Sequence, residues 1–158
     1  MRRVASQGPK FLADSMHGKL TRWLRMLGYD TIYYPRGDNE IIQKAYEEGR
    51  IVLTSDTELY RRILSKSGQS ILLPLSGTEA QLSHIAMRLM KDYGISYDEF
   101  LAVKFRLCSL CNGQLLSSSN NRWRCESCGQ EYWVGGHWKN ISRTLERVRK
   151  LVEDLSKG

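Results

Sequence analysis

Three short apolar runs, each followed by an acidic residue, constrain this chain of 158 residues more than any other feature. Phe11-Leu12-Ala13 ends at Asp14, Thr31-Ile32-Tyr33-Tyr34 is followed by Asp38, and Ile51-Val52-Leu53-Thr54 ends at Asp56. The stretches between them have helical spacing, so the runs read as parallel strands joined by helices. In open sheets of that kind, ligands bind in the crevice at the carboxyl ends of the strands. Three carboxyl groups gathered there repel one another unless a cation stands between them, and Mg²⁺ or Mn²⁺ suits such oxygen ligands. One Asp at a strand end is commonly a turn former, whereas three at successive ends point to a site. Asp14, Asp38 and Asp56 are therefore the candidate catalytic residues and metal ligands. Glu40 and Glu58, each two residues beyond an Asp, are candidates to complete the cluster. A metal held there would activate water and stabilise the leaving oxygen of a phosphodiester.

The rest of the first hundred residues repeats the strand-helix pattern. In residues 19–27, Leu20, Trp23, Leu24 and Leu27 form an apolar stripe, with Gly28 as the helix stop. Lys19, Arg22 and Arg25 lie off the stripe and are candidate phosphate contacts. Asp38 or Asn39 is expected to cap a helix carrying Ile41, Ile42, Ala45 and Tyr46 to Gly49. A third helix carries Leu59, Tyr60, Ile63 and Leu64, and residues 69–75 read as a fourth strand centred on Ile71-Leu72-Leu73. Thr78, with Gln81 three residues on, has capping-box spacing ahead of a stripe from Leu82 to Tyr93. Residues 99–107 are expected to add a fifth strand or a link. The alternation predicts an α/β fold with a mainly parallel sheet covered on both faces.

From Cys108 the texture changes. All four cysteines fall in C-x2-C-x13-C-x2-C, Cys108, Cys111, Cys125 and Cys128, with Gly113 and Gly129 following the pairs. That spacing predicts two knuckles closing a tetrahedral thiolate site on Zn²⁺. Two disulfides are the competing pairing, disfavoured for an intracellular chain. Four protein ligands leave no open position, so this zinc is expected to be structural. Arg122 and Arg124, among Trp123, Tyr132, Trp133, His137 and Trp138, are candidate nucleic-acid contacts; alternatively the aromatics dock the module on the α/β domain. Ile141, Leu145, Val148, Val152 and Leu155 mark a terminal helix that packs on its own protein.

The net charge is +7, and residues 101–158 hold ten basic against five acidic side chains. That balance favours a polyanion such as RNA through phosphate neutralisation. Apolar runs of a few residues are far below the roughly 18 needed to span a bilayer, so no membrane span is expected. Residues 1–9 are basic with no apolar region behind them, which reads as a loose arm and predicts a cytoplasmic protein.

Phe11-Leu12-Ala13-Asp14-Ser15-Met16, Gly18-Lys19-Leu20, Trp23 to Asp30, Glu48 to Asp56, the four cysteines and Tyr132-Trp133…Gly136-His137-Trp138 closely resemble the Mut-seven C-terminal ribonuclease domain. This is a PIN-like family with a fused zinc ribbon. The resemblance implies a three-layer α/β/α fold and metal-dependent RNA cleavage leaving a 5′ phosphate and a 3′ hydroxyl, with Asp14, Asp38 and Asp56 in the acidic positions. The expected organisation is a basic arm at 1–9, a PIN-like domain at 10–103, a zinc ribbon at 104–138 and a terminal helix at 139–158. Two positions depart from the family: it usually has Arg where Ser55 stands and a hydrophobic residue, often Leu, where His17 stands. The first departure removes a cation beside Asp56 and implies weaker or redirected activity.

Two other phosphoryl-transfer folds are disfavoured by absences. A haloacid-dehalogenase-like phosphatase needs an Asp where Met16 stands, and a receiver domain needs a Lys soon after a later strand. The alternative outside catalysis is a module that binds RNA, a ribosome or a processing partner through the ribbon. An acidic crevice facing a polyanion serves no purpose in a pure binder.

Overall fold

The apolar runs form the strands of one sheet in the computed structural model, which describes residues 8–157. The expected arm lies almost wholly outside these residues. Phe11–Ala13 (β1), Thr31–Tyr33 (β2), Ile51–Thr54 (β3) and Ser70–Leu72 (β4) pair in the order β2-β1-β3-β4, all parallel. β1 and β3 are buried along their whole length because helices cover both faces. Phe11, Ile51, Leu53 and Ile71 point to one face, where they meet Leu20, Leu24 and Leu27 from Gly18–Met26 (α1) and its C-cap, and Leu82, Ile85 and Leu89 of Thr78–Tyr93 (α4). Leu12 and Val52 point to the other, against Ile41 and Ala45 of Asp38–Glu48 (α2) and Leu59 and Ile63 of Thr57–Ser65 (α3). Each such side chain contributes about 1.5–3 kcal/mol on leaving water. The result is the expected three-layer α/β/α arrangement.

The strand order has a functional consequence. The chain leaves β1 for β2 on one side and then crosses back to β3 and β4 on the other, so the switch point lies between β1 and β3. The crevice at their carboxyl ends is where a doubly wound sheet opens to a ligand.

Two local expectations are corrected, and a third is decided between its alternatives, a strand or a link, in favour of the link. Gly37, not Asp38 or Asn39, caps α2, and Asp38 is its first helical residue. Gly77 caps α4, while the Gln81 amide donates to the Pro74 carbonyl at 3.0 Å instead of closing a capping box with Thr78. Residues 99–107 add no strand to the sheet. Ser96, whose Oγ accepts the Glu99 N–H, starts a single helical turn, Tyr97–Phe100 (α5). Lys104 then donates to the carbonyls of Leu27, Glu99 and Ala102, which pulls the link onto the end of α1.

Beyond the link, Leu115–Ser119 (β5), Arg122–Cys125 (β6) and Glu131–Trp133 (β7) form an antiparallel sheet of their own. Trp138–Lys157 (α6) returns to the first domain, where Leu145, Val148 and Val152 join the larger core cluster beside α4. Its apolar stripe ends at Val152, since Leu155 is 53% exposed. No helix among the described residues is long and apolar enough to cross a membrane.

His84 on α4 gives the fold a pH dependence. Burial, with the charge of Arg88 one turn on, pushes its pKa below the usual 6.5. The unfolded chain then binds the extra proton, so the stability tied to neutral His84 is complete above about 6.5 and is lost as pH falls through the lowered value. His84→Gln is expected to flatten part of the fall in melting temperature between about pH 7 and pH 5.

Candidate functional site

The register of β1 with β3 sets Ala13 opposite Leu53 and brings Asp14 beside Thr54. The Thr54 hydroxyl, fully buried, donates to Asp14 Oδ2 at 2.6 Å and accepts the Asp56 N–H at 3.0 Å. Asp14 is 7% exposed, and its Oδ1 accepts the Met16 N–H at 3.2 Å. Asp56 caps α3, its Oδ1 accepting from the N–H groups of Glu58 and Leu59. One hydroxyl thus ties the two acidic positions on neighbouring strands. Thr54 closes the third apolar run, yet nothing in sequence marks it as a site residue, because its partner is 40 positions away. Thr54→Val is expected to cost about 1–3 kcal/mol by leaving Asp14 Oδ2 and the Asp56 N–H unpaired. Removing such a supporting group should also weaken Mn²⁺ binding, measured by titration calorimetry, about 10–100-fold.

The remaining acids stand farther out. Asp38, half-exposed, has Arg62 Nη1 3.7 Å from its Oδ2, while Arg62 Nη2 donates to Asn39. Glu40 and Glu58 are exposed. Among the described residues, the four cysteines are the one group of three or more His, Cys, Asp or Glu whose ligand atoms all lie within 4.8 Å. The five carboxyl groups therefore do not converge on one point. Asp14 and Asp56 still suit Mg²⁺ or Mn²⁺, because Mg²⁺ keeps several waters and takes one or two carboxylates plus phosphate oxygens.

His17 and Ser55, the two positions read from the resemblance as departures, touch one another. His17 Nε2 lies 3.2 Å from Ser55 Oγ and 3.7 Å from Asp14 Oδ1. Burial pushes the His17 pKa down, against the opposing pull of Asp14.

Of the expected phosphate contacts, Lys19 and Arg22 are exposed on α1. Arg25 is not, and it is corrected here. It is 8% exposed and donates to the carbonyls of Thr31, Ser109 and Leu110, so it ties the first cysteine knuckle to β2. Asn112 completes the tie, accepting from the Thr31 N–H and donating to Asp30. Burial works against the Asp30 charge, but the Asn112 amide and the Arg50 guanidinium outweigh it and hold its pKa below the usual 3.8. Asp30 and Thr31 stand at the amino end of β2 and Arg50 at that of β3. The ribbon therefore docks at the opposite end of the sheet from Asp14.

The cysteines are free thiols, not disulfides. Cys108 and Cys128 Sγ are 3.7 Å apart and Cys111 and Cys125 Sγ 3.5 Å apart. Zinc–sulfur bonds of about 2.3 Å in a tetrahedron give sulfur–sulfur edges close to these, so the quartet fits Zn²⁺. Burial opposes ionisation of Cys125, yet the N–H groups of Cys128 and Ser127 with neighbouring thiols bring it down to about 6, a ready first thiolate. Gly113 is required because a Cβ there would lie 2.8 Å from Cys125 Sγ. Tyr132 supports the knuckle, its hydroxyl 3.1 Å from Cys108 Sγ and accepting the Ser109 N–H.

On the ribbon, β6 and β7 turn Trp123 and Tyr132 inward with Cys125, and carry Arg122, Arg124 and Trp133 on the opposite side. Arg122 lies over the Trp133 ring at 5.5 Å, and Arg124 lies 3.5 Å from Glu131.

The model of the Mut7-C RNAse domain matches residues 9–122, which span the whole four-stranded sheet and the first cysteine knuckle. No curated protein and no solved structure matches the chain. With the match covering most of its length, the α/β/α sheet in place and the cysteine quartet set for zinc, the chain belongs to the Mut7-C RNAse domain family.

Proposed function

We propose that the protein is a metal-dependent ribonuclease that hydrolyses RNA phosphodiester bonds at the carboxyl ends of β1 and β3. The observation that carries this reading is the Asp14–Thr54–Asp56 arrangement at the switch point, a buried carboxyl group aligned by a buried hydroxyl beside a second acid. Bound Mg²⁺ or Mn²⁺ supplies the positive charge that activates water and stabilises the leaving oxygen. Asp14 and Asp56 would hold the metal, with Asp38, Glu40 and Glu58 as acidic residues farther out. Thr54 and the Met16 N–H keep the Asp14 carboxyl group in one orientation. Lys19 and Arg22 neutralise phosphates along α1, and Arg122 and Arg124 contact the strand from the ribbon. The zinc is structural.

The test is cleavage of a pool of labelled single-stranded and structured RNAs with Mg²⁺ or Mn²⁺, comparing the protein with Asp14→Asn. Cleavage that requires metal and disappears in the variant supports the nuclease. A second reading, a non-catalytic module binding RNA or a ribonucleoprotein through the ribbon, is favoured by the Asp38–Arg62 pair, which gives one acid a cationic neighbour without a metal. RNA binding with equal trace cleavage in both proteins would establish it instead.

A further inference from the structure

The aromatic residues of the ribbon divide into two sets. Phe105 stacks on Trp123 with ring centroids 3.9 Å apart and planes 6° apart, and on Trp138 at 5.7 Å and 21°. Its backbone is held at φ 47°, a conformation rare for a bulky side chain. This stack joins the link, β6 and the start of α6. Trp133 is outside the stack, 44% exposed, with the His137 ring perpendicular to it at 6.4 Å between centroids and the Arg122 guanidinium over its ring.

Between the two sets lies a cavity of about 240 Å³, walled by Met26, Phe105, Tyr132, Trp133, His137 and Trp138 among others. Pockets for whole small ligands run to roughly 300–1,000 Å³, so this one suits a single flat ring system. Its surroundings are cationic: Arg122 adjoins Trp133, and the exposed Arg106 and Lys139 neighbour Phe105 and Trp138 in the chain. An apolar aromatic slot in a cationic setting matches a base on a phosphate backbone.

Helix α1 joins this cavity to the crevice. It starts at Gly18, just past Asp14, and ends at Met26, a wall of the cavity. Lys19, Arg22 and Met26 recur at helical spacing on one face, and both cations are exposed. Nine residues of helix cover about 13 Å. That is the reach of about four stacked nucleotides at 3.4 Å per phosphate.

We propose that this cavity takes one unpaired base of a single-stranded RNA, about four nucleotides from the bond held at Asp14, with the intervening phosphates on Lys19 and Arg22. The cavity names the substrate class of the nuclease proposed above and rests on that reading for the position of the scissile bond. A duplex keeps its bases paired and offers none to the slot.

The test uses the full zinc-loaded chain carrying Asp14→Asn, with fluorescein-labelled octaadenylate and, as a control, an abasic sugar-phosphate octamer, both read by anisotropy. Adding Trp133→Ala is expected to weaken octaadenylate binding about 5- to 150-fold, the range for one lost base stack, and to leave the abasic octamer unchanged. Trp133→Phe should restore most of the loss. An unchanged affinity for octaadenylate overturns the proposal, as does equal weakening for both octamers, which would place the effect in charge or folding. Parent protein that binds both octamers equally overturns it without any Trp133 variant. These readouts need no cleavage, so they separate a failed base slot from a failed nuclease. In the unmodified protein, oligoadenylates too short to span from Asp14 to the cavity should be cleaved more slowly than octaadenylate; equal rates would refute the spacing.

Discussion

Asp14→Asn is expected to lower metal-dependent RNA cleavage by about 10²–10³-fold with little change in melting temperature. A metal ion supplies several kcal/mol of charge stabilisation to the transition state, and losing about 3–4 kcal/mol of it gives that factor. Asn keeps the shape and its oxygen can still accept the Thr54 hydroxyl; only the part-buried Met16 N–H loses its acceptor, so the fold should persist while one ligand charge is gone. The acids should not respond alike. Asp56→Asn should come second in severity, and its effect should be confined to rate, since Asn caps a helix about as well as Asp. Asp38→Asn should be mildest, because that carboxyl group is half-exposed and faces Arg62. Initial rates on one labelled RNA at fixed ionic strength, with thermal melts alongside, test the order. If Asp38→Asn were as damaging as Asp14→Asn, the three acids would have to close on one ion, and the two-acid site proposed here would be wrong.

Removing zinc, by chelation or by Cys108→Ser, is expected to lower the melting temperature of the whole protein by about 10 °C. The ribbon is too small for a core of its own, so without metal its knuckles lose their geometry. Ser109 and Leu110 then withdraw their carbonyls from Arg25, and Asn112 leaves Asp30. Arg25 keeps only the Thr31 carbonyl; each hydrogen bond lost from a charged group costs about 1.5–3 kcal/mol, and each kcal/mol is about 2–4 °C for a chain this long. Metal content and melting curves before and after chelator decide the matter. Loss of one zinc per chain with no shift in the melting of the α/β domain would show that the tie contributes nothing.

What could be read from the residues was what is local or periodic. The β-α alternation, the four cysteines and the placing of Asp14 and Asp56 at strand ends all follow from spacings of a few residues. What could not be read depends on contacts set by register and docking. Thr54 reaches Asp14 only because β1 and β3 lie side by side in one register. Arg25 lies off the apolar stripe of α1 and so looks like a solvent-facing phosphate contact, yet a knuckle more than 80 positions away covers it. The caps of α2 and α4 fell to glycines because each neighbouring polar residue is already inside its helix. Of the two alternatives for residues 99–107, a strand or a link, the link prevails because Ser96 and Lys104 engage the backbone around it.

The path of the chain, from sheet to ribbon and back to the core through α6, sets an order of assembly at the ribosome. When β1 to α4 have emerged, the face of α4 that Leu145, Val148 and Val152 will cover is still bare. The ribbon emerges next and can capture its metal and dock before α6 is made. Nascent chains stalled in that interval present a sticky apolar face, the kind of surface chaperones shield. A helix translated after the ribbon therefore seals the sheet that was translated before it.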